Sequence, residues 1–243
     1  MRNIKVALEY DGSEFCGWQW QPKGRSVQGV LQQAAEELLR ESVKVVGAGR
    51  TDAGVHALGQ VANFKSSTRL NLRAIRLGLN SYLPADLRVI DASEVDDRFH
   101  ARFSAVSRTY RYVLSTRMRA VARQYSWFCK YKLEVKQIEA ASKLLLGKHA
   151  FVAFSKHIET EQHYLCDLKQ IRWEVGDGKL VMEVTANRFL HNMVRIIVGT
   201  MVDVGREKLR PGDVGDILNS GDRSRVGSTA PPHGLFLVTV NYQ

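Results

Sequence analysis

Apolar residues occupy every second position at the start of the chain, at Ile4, Val6, Leu8 and Tyr10. A period of two is typical of a β-strand that buries one face. From Ser26 onward the apolar positions recur at helical spacing, and a serine at such a place caps the first turn of a helix. This segment predicts a strand and then an amphipathic helix with an inner face of Val27, Val30, Leu31, Ala34 and Leu38.

The same patterns predict two successive sets of elements along the chain. The first set continues with strands near residues 43–48 and 59–64, a helix through Leu72, Ile75 and Leu79, and a strand near 87–91. The second set has a strand near 109–114, a helix through Val135, Ile138, Ala141 and Leu145, strands near 171–175 and 180–186, a helix from 191 to 204, and a strand from 235 to 242. Residues 205–233 predict a loop with a short helix after Pro211.

Each half therefore has the order strand, helix, strand, strand, helix, strand. This is the order of a ferredoxin-like unit, in which helices pack on one face of an antiparallel sheet. We predict the α+β class, with two ferredoxin-like halves whose sheets join around a central cleft. The apolar periodicity lapses between residues 93 and 107, so we place the N-terminal half at residues 1–105 and the C-terminal half at 106–243.

The composition is that of a globular protein, because 44% of the 243 residues are hydrophobic and 25% are charged. No apolar run approaches the roughly 20 residues that span a bilayer, and the first residues pass into a strand pattern rather than a signal peptide. Three widely spaced cysteines, Cys16, Cys129 and Cys166, argue against a disulfide framework. We expect a cytoplasmic protein without a membrane partner.

The formal net charge of +10 favours a polyanionic partner, and nucleic acid is the first candidate, although such a charge also serves solubility. Basic residues recur in predicted loops and strand ends, within 23–25, 69–76, 98–111, 117–123, 206–210 and 223–225. Aromatic residues lie among them, where each is either a core residue or a platform for a base. They are Trp18, Trp20, Phe99, Phe103, Tyr110, Tyr112, Tyr125 and Trp127.

Residues 47–57 read Gly-Ala-Gly-Arg-Thr-Asp-Ala-Gly-Val-His-Ala and place one carboxylate, Asp52, in a glycine-rich bend. Glycine permits backbone angles and close ligand approach that a side chain would block. An extended backbone would put Arg50 and Asp52 on one face, which makes them candidates for joint action. A phosphate-binding loop is disfavoured because the Gly-Lys-Ser/Thr ending is missing. A turn in which Asp52 caps its own backbone is the remaining alternative.

The helix predicted from 191 to 204 has almost no polar face, yet Arg195 lies in its middle. Arginine is rarely buried without a partner, so we expect Arg195 to meet a carboxylate or to line a polar cleft. A structural ion pair would satisfy that need as well as a functional one. Asp52 is a candidate partner, and the pair would keep Asp52 ionised, as a carboxylate nucleophile requires.

The strand near 109–114 carries two tyrosines on one face, Tyr110 and Tyr112, with Arg111 on the other. Ordinary strand residues need no function. One of the tyrosines is nevertheless a candidate to stack on a substrate ring.

Residues 49–57 resemble the catalytic signature of the tRNA pseudouridine synthase A family, which isomerises uridines in the anticodon arm of tRNA. Ordered matches to the family's pattern run along nearly the whole chain. They are Glu9-Tyr10-Asp11-Gly12-Ser13, Gly17-Trp18-Gln19, Arg25-Ser26-Val27-Gln28, Phe99-His100-Ala101-Arg102-Phe103-Ser104-Ala105, Tyr110-Arg111-Tyr112, His191-Asn192-Met193-Val194-Arg195 and Gly234-Leu235.

The resemblance implies an RNA pseudouridine synthase without cofactor or metal, which modifies positions 38, 39 and 40 of the tRNA anticodon stem and loop as a homodimer. It implies that Asp52 is the nucleophile and Arg195 its ion-pair partner. Tyr110 is matched as the first tyrosine of its motif, and the resemblance implies that it contacts the target base and assists proton removal. By the same resemblance, Arg50 is expected to help hold the target nucleotide out of the stack. Residues 150–167 depart from the family's pattern, so tRNA contacts there are expected to differ.

Two other functions fit parts of the sequence. A non-catalytic RNA-binding protein of ferredoxin-like fold would use exposed aromatics without turnover. A metal site can be assembled from His157, His163 and Cys166, but the spacing matches no usual zinc pattern and a fourth ligand is not evident.

The role of Asp52 also leaves two routes open, which are attack on C1′ of the ribose or removal of a neighbouring sugar proton.

Overall fold

The computed structural model describes residues 1–156 and 163–243. Its strands are β1 (Arg2–Tyr10), β2 (Val46–Gly47), β3 (His56–Ser66), β4 (Leu87–Val95), β5 (Ala105–Ser115), β6 (Trp127–Phe128), β7 (Gly147–Ala150), β8 (Leu165–Gly176), β9 (Lys179–Ala186) and β10 (Leu235–Tyr242). Its α-helices are α1 (Val27–Leu39), α2 (Leu72–Tyr82), α3 (Val135–Lys143), α4 (Met193–Gly205) and α5 (Pro211–Ser220). Within the described residues, none of these helices has the length and apolar character needed to cross a membrane.

The chain forms two compact units. Unit 1 comprises Met1–Val106 and Phe236–Gln243, and unit 2 comprises Ser107–Leu235. Strand β1 is the centre of unit 1, because it lies between β3 and β4 and is antiparallel to both. On the other edge of β3, β2 pairs antiparallel and β10 pairs parallel. The predicted alternation along β1 agrees with the observed burial of Ile4, Val6 and Leu8.

Local capping sets where the two helices of unit 1 begin. The Ser26 hydroxyl accepts a hydrogen bond from the Gly29 N–H at 3.2 Å, as the sequence predicts for α1. The Asn71 side chain accepts from the Ala74 N–H at 2.8 Å and caps α2 in the same way. Each helix then buries one apolar stripe, which consists of Val27, Leu31, Ala34 and Ala35 in α1 and Ile75 and Leu79 in α2.

Unit 2 contains a second antiparallel arrangement, in which β5, β9, β8 and β7 are successive neighbours. The short strand β6 pairs parallel with the end of β5. The side chains of Tyr112, Leu114, Met182 and Val184 are fully buried on this sheet. Helix α3 packs against β8, since the Trp173 indole N–H donates to the Ser142 hydroxyl at 2.9 Å.

Helix α4 is buried along nearly its whole length and lies against the backbone of residues 227–230. The Ala230 N–H donates to the Arg195 carbonyl at 3.1 Å, and the Gly227 N–H donates to the Thr200 hydroxyl at 3.1 Å. A Cβ built on Gly199 would lie 1.6 Å from the Ser228 carbonyl oxygen. Only glycine at position 199 permits this approach.

The predicted α+β class is confirmed, with mostly antiparallel strands and helices packed on them. The short strands β6 and β7 were not predicted, because two to four residues carry too little periodicity. Helix α4 begins at Met193 rather than 191, because Asn192 has a left-handed φ of +61°. The final strand, placed by sequence in the C-terminal half, lies in unit 1 because it pairs with β3. The division into two domains and the central cleft stay predictions.

Two glycine substitutions test the close contact between Gly199 of α4 and the Ser228 carbonyl. We expect Gly199→Ala to lower the free energy of unfolding by about 2 kcal/mol or more, because overpacking a tight interior is destabilising. Gly215→Ala in α5 is the matched control, since its Cβ would meet only a Leu144 methyl at 3.6 Å. The control should raise stability by up to about 1 kcal/mol, through helix propensity alone. Urea unfolding measures both, and equal stability of the two variants would contradict the contact.

Candidate active site

Asp52 lies at the start of a tight turn between β2 and β3. The Val55 N–H closes this turn by donating to the Asp52 carbonyl at 3.2 Å. Gly54 has a φ of +75°, which favours glycine, and its N–H donates to the Phe15 carbonyl at 3.3 Å. The backbone of Asp52 is therefore fixed both by its own turn and by a second loop.

Exposure alternates through the residues before the turn, since Arg50 is exposed, Thr51 is buried and Asp52 is half-buried. Successive side chains of an extended backbone point to opposite faces. Thr51 faces inward, where its hydroxyl oxygen lies 2.8 Å from the hydroxyl oxygen of Tyr10. Burial raises the pKa of Tyr10 to about 12, so this hydroxyl pair carries no charge near neutral pH.

The loop that follows β1 supports the turn through its backbone. A Cβ on Gly17, which has a φ of +106°, would lie 2.7 Å from the Thr51 carbonyl oxygen. A Cβ on Gly12 would lie 2.0 Å from the Val55 carbonyl oxygen. The Trp18 N–H donates to the Thr51 carbonyl at 3.0 Å. Glycine is required at both positions because the two backbones are in contact.

The glycines of the bend itself serve packing. A Cβ on Gly47 would lie 2.3 Å from the Trp18 ring, which is only 2% exposed. The Gln60 side-chain amide donates to the Gly49 carbonyl at 2.9 Å. The sequence suggested that these glycines admit a ligand, whereas in the structure Gly47 admits the indole of Trp18.

His56, the first residue of β3, lies behind the turn and was not singled out from the sequence. Its side chain is 2% exposed, and its ring stacks on Phe236 with 4.8 Å between centroids. The Nδ1 atom lies 3.0 Å from the Gly12 nitrogen and 3.1 Å from Oδ1 of Asp11. One nitrogen either accepts or donates. Without a proton, Nδ1 accepts from the Gly12 N–H, and with a proton it donates to Asp11.

A second support missed from the sequence is the ion pair of Arg25 and Asp86. The guanidinium donates two hydrogen bonds to the carboxylate, at 2.6 and 2.7 Å, and lies 4.1 Å from the ring centre of Phe15. Hydrogen bonding to Arg25 holds the pKa of Asp86 below its usual value. The Cys16 N–H donates to the Arg25 carbonyl at 2.9 Å. The pair therefore holds the loop that contacts the Asp52 turn.

In unit 2, Tyr110 and Tyr112 lie on one face of β5, as the alternation predicts, and both are buried. The Tyr110 ring packs perpendicular to Phe189, with 5.1 Å between centroids. The Tyr112 hydroxyl donates to the Pro231 carbonyl at 2.8 Å, and burial raises the pKa of Tyr112 well above its usual range. Tyr112 is thus fixed as a core residue.

Arg195 lies in the first turn of α4 and is half-buried. The expectation that it lies buried in the middle of the helix was therefore wrong. The displacement follows from the later start of the helix. Its Nε donates to the Ala230 carbonyl at 2.7 Å, and its Nη1 donates to Oδ1 of Asn192 at 2.9 Å. These two bonds fix the orientation of the guanidinium.

The four residues predicted from the sequence fall in two units. Arg50 and Asp52 belong to unit 1, and Tyr110 and Arg195 belong to unit 2. The ion pair of Asp52 with Arg195 stays a prediction.

Within residues 1–156 and 163–243, no group of three or more His, Cys, Asp or Glu side chains is placed to hold a metal ion. His157, one member of the alternative metal site, lies outside the described residues. That alternative therefore stays a hypothesis.

Comparison with known proteins gives matches over the whole chain. The profile of the family described as tRNA pseudouridine synthase matches residues 6–104 and 141–243. A relative named tRNA pseudouridine synthase A from Thermoanaerobacter sp. strain X514 is 41% identical, with all of both chains aligned. The protein of the same name from Citrifermentans bemidjiense is 44% identical over all of this chain and 98% of the relative. The tRNA pseudouridine synthase A 2 of Clostridium perfringens is 40% identical over all of both.

Among solved structures, a chain from the crystal structure of a Cbf5-Nop10-Gar1 complex aligns at a TM-score of 0.39 and 11% identity. The alignment covers 97% of this chain and 57% of that chain. Because the family profile covers most of the chain and relatives share 40% or more of its residues over its full length, this protein belongs to the tRNA pseudouridine synthase family.

Proposed function

We propose that this chain isomerises uridine to pseudouridine at positions 38, 39 and 40 in the anticodon stem and loop of tRNA, without a cofactor. Family membership supports the reaction and the class of substrate. The observation that carries the proposal is the turn of residues 52–55, which fixes the backbone of Asp52 two positions after the exposed Arg50. A fixed carboxylate beside a cation suits chemistry on the sugar of a polyanion.

The reaction rearranges bonds within one nucleoside. The N1–C1′ bond breaks, the uracil turns, and a C5–C1′ bond forms. The C5 proton is lost and N1 gains a proton, so no electrons are exchanged with another molecule. A site for this reaction needs a nucleophile or charge stabiliser near C1′, a pocket that retains the detached uracil, and a group that assists proton removal.

Asp52 is the proposed catalytic carboxylate. It acts either by attacking C1′ as uracil leaves or by taking a neighbouring sugar proton, and both routes require the ionised form. Arg195 is proposed to keep it ionised as an ion-pair partner. The hydrogen bonds from Arg195 to Ala230 and Asn192 support this role, because an oriented guanidinium matches the geometry of a carboxylate.

Tyr110 is proposed to contact the target base and to assist removal of the C5 proton. Its ring is buried and held edge-on by Phe189, and a rigid aromatic ring is suited to stacking. Arg50 is proposed to hold the target nucleotide out of its stack. Unstacking a base costs a few kcal/mol, and an exposed guanidinium offsets that cost by contacting the backbone or the base.

The net charge of +10 supports a tRNA partner, since phosphate contacts supply much of nucleic-acid affinity. We also propose that the protein works in the cytoplasm as a homodimer, because a tRNA is long relative to one subunit. Sedimentation as a monomer that retains full turnover at working concentration would contradict the homodimer.

Tritium release tests the enzyme against the alternative of a passive RNA-binding protein. A tRNA transcript carrying tritium at uridine C5 loses label only when C5 is joined to C1′. We expect release by the wild-type protein and its loss when uridines 38, 39 and 40 are replaced by cytidine. Binding of tRNA without release from any transcript would favour the passive RNA-binding protein.

Asp52→Asn should abolish essentially all tritium release and leave tRNA affinity nearly unchanged, because the amide can neither attack nor accept a proton. The matched control is Asp216→Asn, an exposed carboxylate on α5. Its turnover should equal that of the wild type. Residual activity of Asp52→Asn above about a tenth of wild type would contradict an essential carboxylate.

Tyr110→Phe keeps the ring and removes the hydroxyl. We expect tRNA binding to be retained while turnover falls about a hundredfold, the order expected when a group that assists proton transfer is lost. Tyr110→Leu removes the ring as well and should also weaken retention of the base. Normal turnover in Tyr110→Phe together with failure of Tyr110→Leu would limit Tyr110 to stacking.

His56 is proposed as a positioning residue for Asp52, because its ring links Gly12 to the strand that leaves the turn. We expect His56→Leu to lower kcat about tenfold or more with little change in KM, since small displacements of a catalytic group are costly. His56→Asn places an amide oxygen near the position of Nδ1 and should restore most of the rate. Equal loss in both variants, or a loss confined to thermal stability, would remove this role.

A further inference from the structure

Phe103 lies in the turn between β4 and β5, and 76% of its surface is exposed. Its ring stacks on the imidazole of His100, with 4.4 Å between centroids and 29° between planes. The guanidinium of Arg102 lies 5.5 Å from the centre of the same ring. Residues 99–104, here called the Phe103 turn, thus present a stacked aromatic group and a cation to solvent.

Hydrogen bonds within the turn fix the two rings. The Nδ1 atom of His100 accepts from the backbone N–H groups of Arg102 at 3.2 Å and Phe103 at 3.3 Å. The Ser104 hydroxyl accepts from the His100 N–H at 3.1 Å, and the Ser104 N–H donates to the His100 carbonyl at 2.9 Å. The two bonds that Nδ1 accepts require this nitrogen to carry no proton. Together the four bonds hold the imidazole against Phe103.

Two buried amides tie the turn to the sheet. The Asn3 side chain is on β1 and donates to the carbonyls of Asp96 and Phe99, both at 2.9 Å. The Asn63 side chain is on β3, donates to Oδ1 of Asn3 at 2.9 Å and accepts from the Ala101 N–H at 2.8 Å. The two asparagines are 2% and 6% exposed. Buried amides are tolerated only when they are hydrogen-bonded in this way.

A third anchor comes from β10. The Tyr242 hydroxyl donates to the Ala101 carbonyl at 2.8 Å, and its ring packs on Phe99 with 4.9 Å between centroids. Three strands therefore hold the base of the Phe103 turn while its tip remains in solvent. Rigid display of an aromatic ring lowers the entropy that is lost when a partner binds.

The charges around the ring favour an anionic partner. Arg98 and Arg102 are exposed, and the nearby carboxylates already have cations. Asp96 accepts from Arg98 at 3.4 Å, and Asp97 pairs with Lys65 at 2.5 Å. A single exposed ring among charged residues is also too small an apolar area for a stable protein contact.

We propose that the Phe103 turn is a stacking platform for an unpaired nucleobase of the tRNA substrate, with Arg98 and Arg102 on the adjoining phosphates. The proposal rests on the proposed function for the identity of the RNA. Stacking of a base on an aromatic ring tolerates any sequence. The platform therefore contributes affinity and register outside the target nucleotide, whereas Asp52 acts on the sugar.

The test compares Phe103→Leu with Phe103→Tyr, because leucine keeps an apolar side chain and tyrosine keeps the ring. Filter binding of unmodified tRNA transcript and tritium release give Kd, KM and kcat. We expect Phe103→Leu to raise Kd and KM about tenfold with kcat unchanged, and Phe103→Tyr to match the wild type. Tyr82→Leu is the control, since Tyr82 is 49% exposed at the end of α2, and it should leave both constants unchanged.

Three results would overturn the platform. They are wild-type affinity in Phe103→Leu, an equal loss in Tyr82→Leu, and a changed sedimentation coefficient of free Phe103→Leu, which would assign the ring to a contact between two copies of the chain. A fourth contrary result is a fall in kcat without a rise in KM, which would assign Phe103 to the chemical step rather than to tRNA binding. Failure of the proposed function has a different signature from failure of the platform. Without the proposed function, the wild-type protein would release no tritium, whereas the platform is tested by the Kd values alone.

Discussion

Contact between two backbones, without intervening side chains, is the constraint on which the candidate site depends. The loop after β1 touches the turn of residues 52–55 at Gly12 and Gly17, where a Cβ would overlap carbonyl oxygens of Val55 and Thr51. The position of Asp52 is therefore determined by main-chain atoms, which have far less freedom than side chains. The ion pair of Arg25 and Asp86 and the ring of His56 then stabilise the loop and the strand on either side.

In unit 2, close contact between main-chain segments likewise positions a charged residue, Arg195. The backbone of residues 227–230 lies against α4 at Gly199, and the Ala230 carbonyl accepts from the Arg195 side chain. In both units a glycine brings a main-chain carbonyl into the interior. A backbone hydrogen bond fixes the main chain of Asp52 in unit 1, and side-chain hydrogen bonds orient the Arg195 guanidinium in unit 2. Charge placement is therefore coupled to the packing of each unit.

Sequence reasoning was strongest where the signal is local. The alternation of β1, the Ser26 cap and the glycine-rich bend around Asp52 each occupy a few consecutive residues, and the structure agrees with the first two. The supports of the bend could not be found in that way. His56 meets Gly12 across 44 positions, and Arg25 meets Asp86 across 61. The parallel pairing of β10 with β3 is equally non-local and leaves no periodic pattern in the strand itself.

The hydroxyl pair of Thr51 and Tyr10 has a consequence for how rate depends on pH. Burial raises the pKa of the Tyr10 phenol to about 12, so essentially no phenolate forms beside the turn of residues 52–55 at neutral or mildly alkaline pH. The side of the turn that faces Tyr10 therefore gains no negative charge over this range of pH. An alkaline limb of a pH–rate profile well below the pKa of Tyr10 would therefore report the titration of a different group, in the enzyme or in the uracil ring itself.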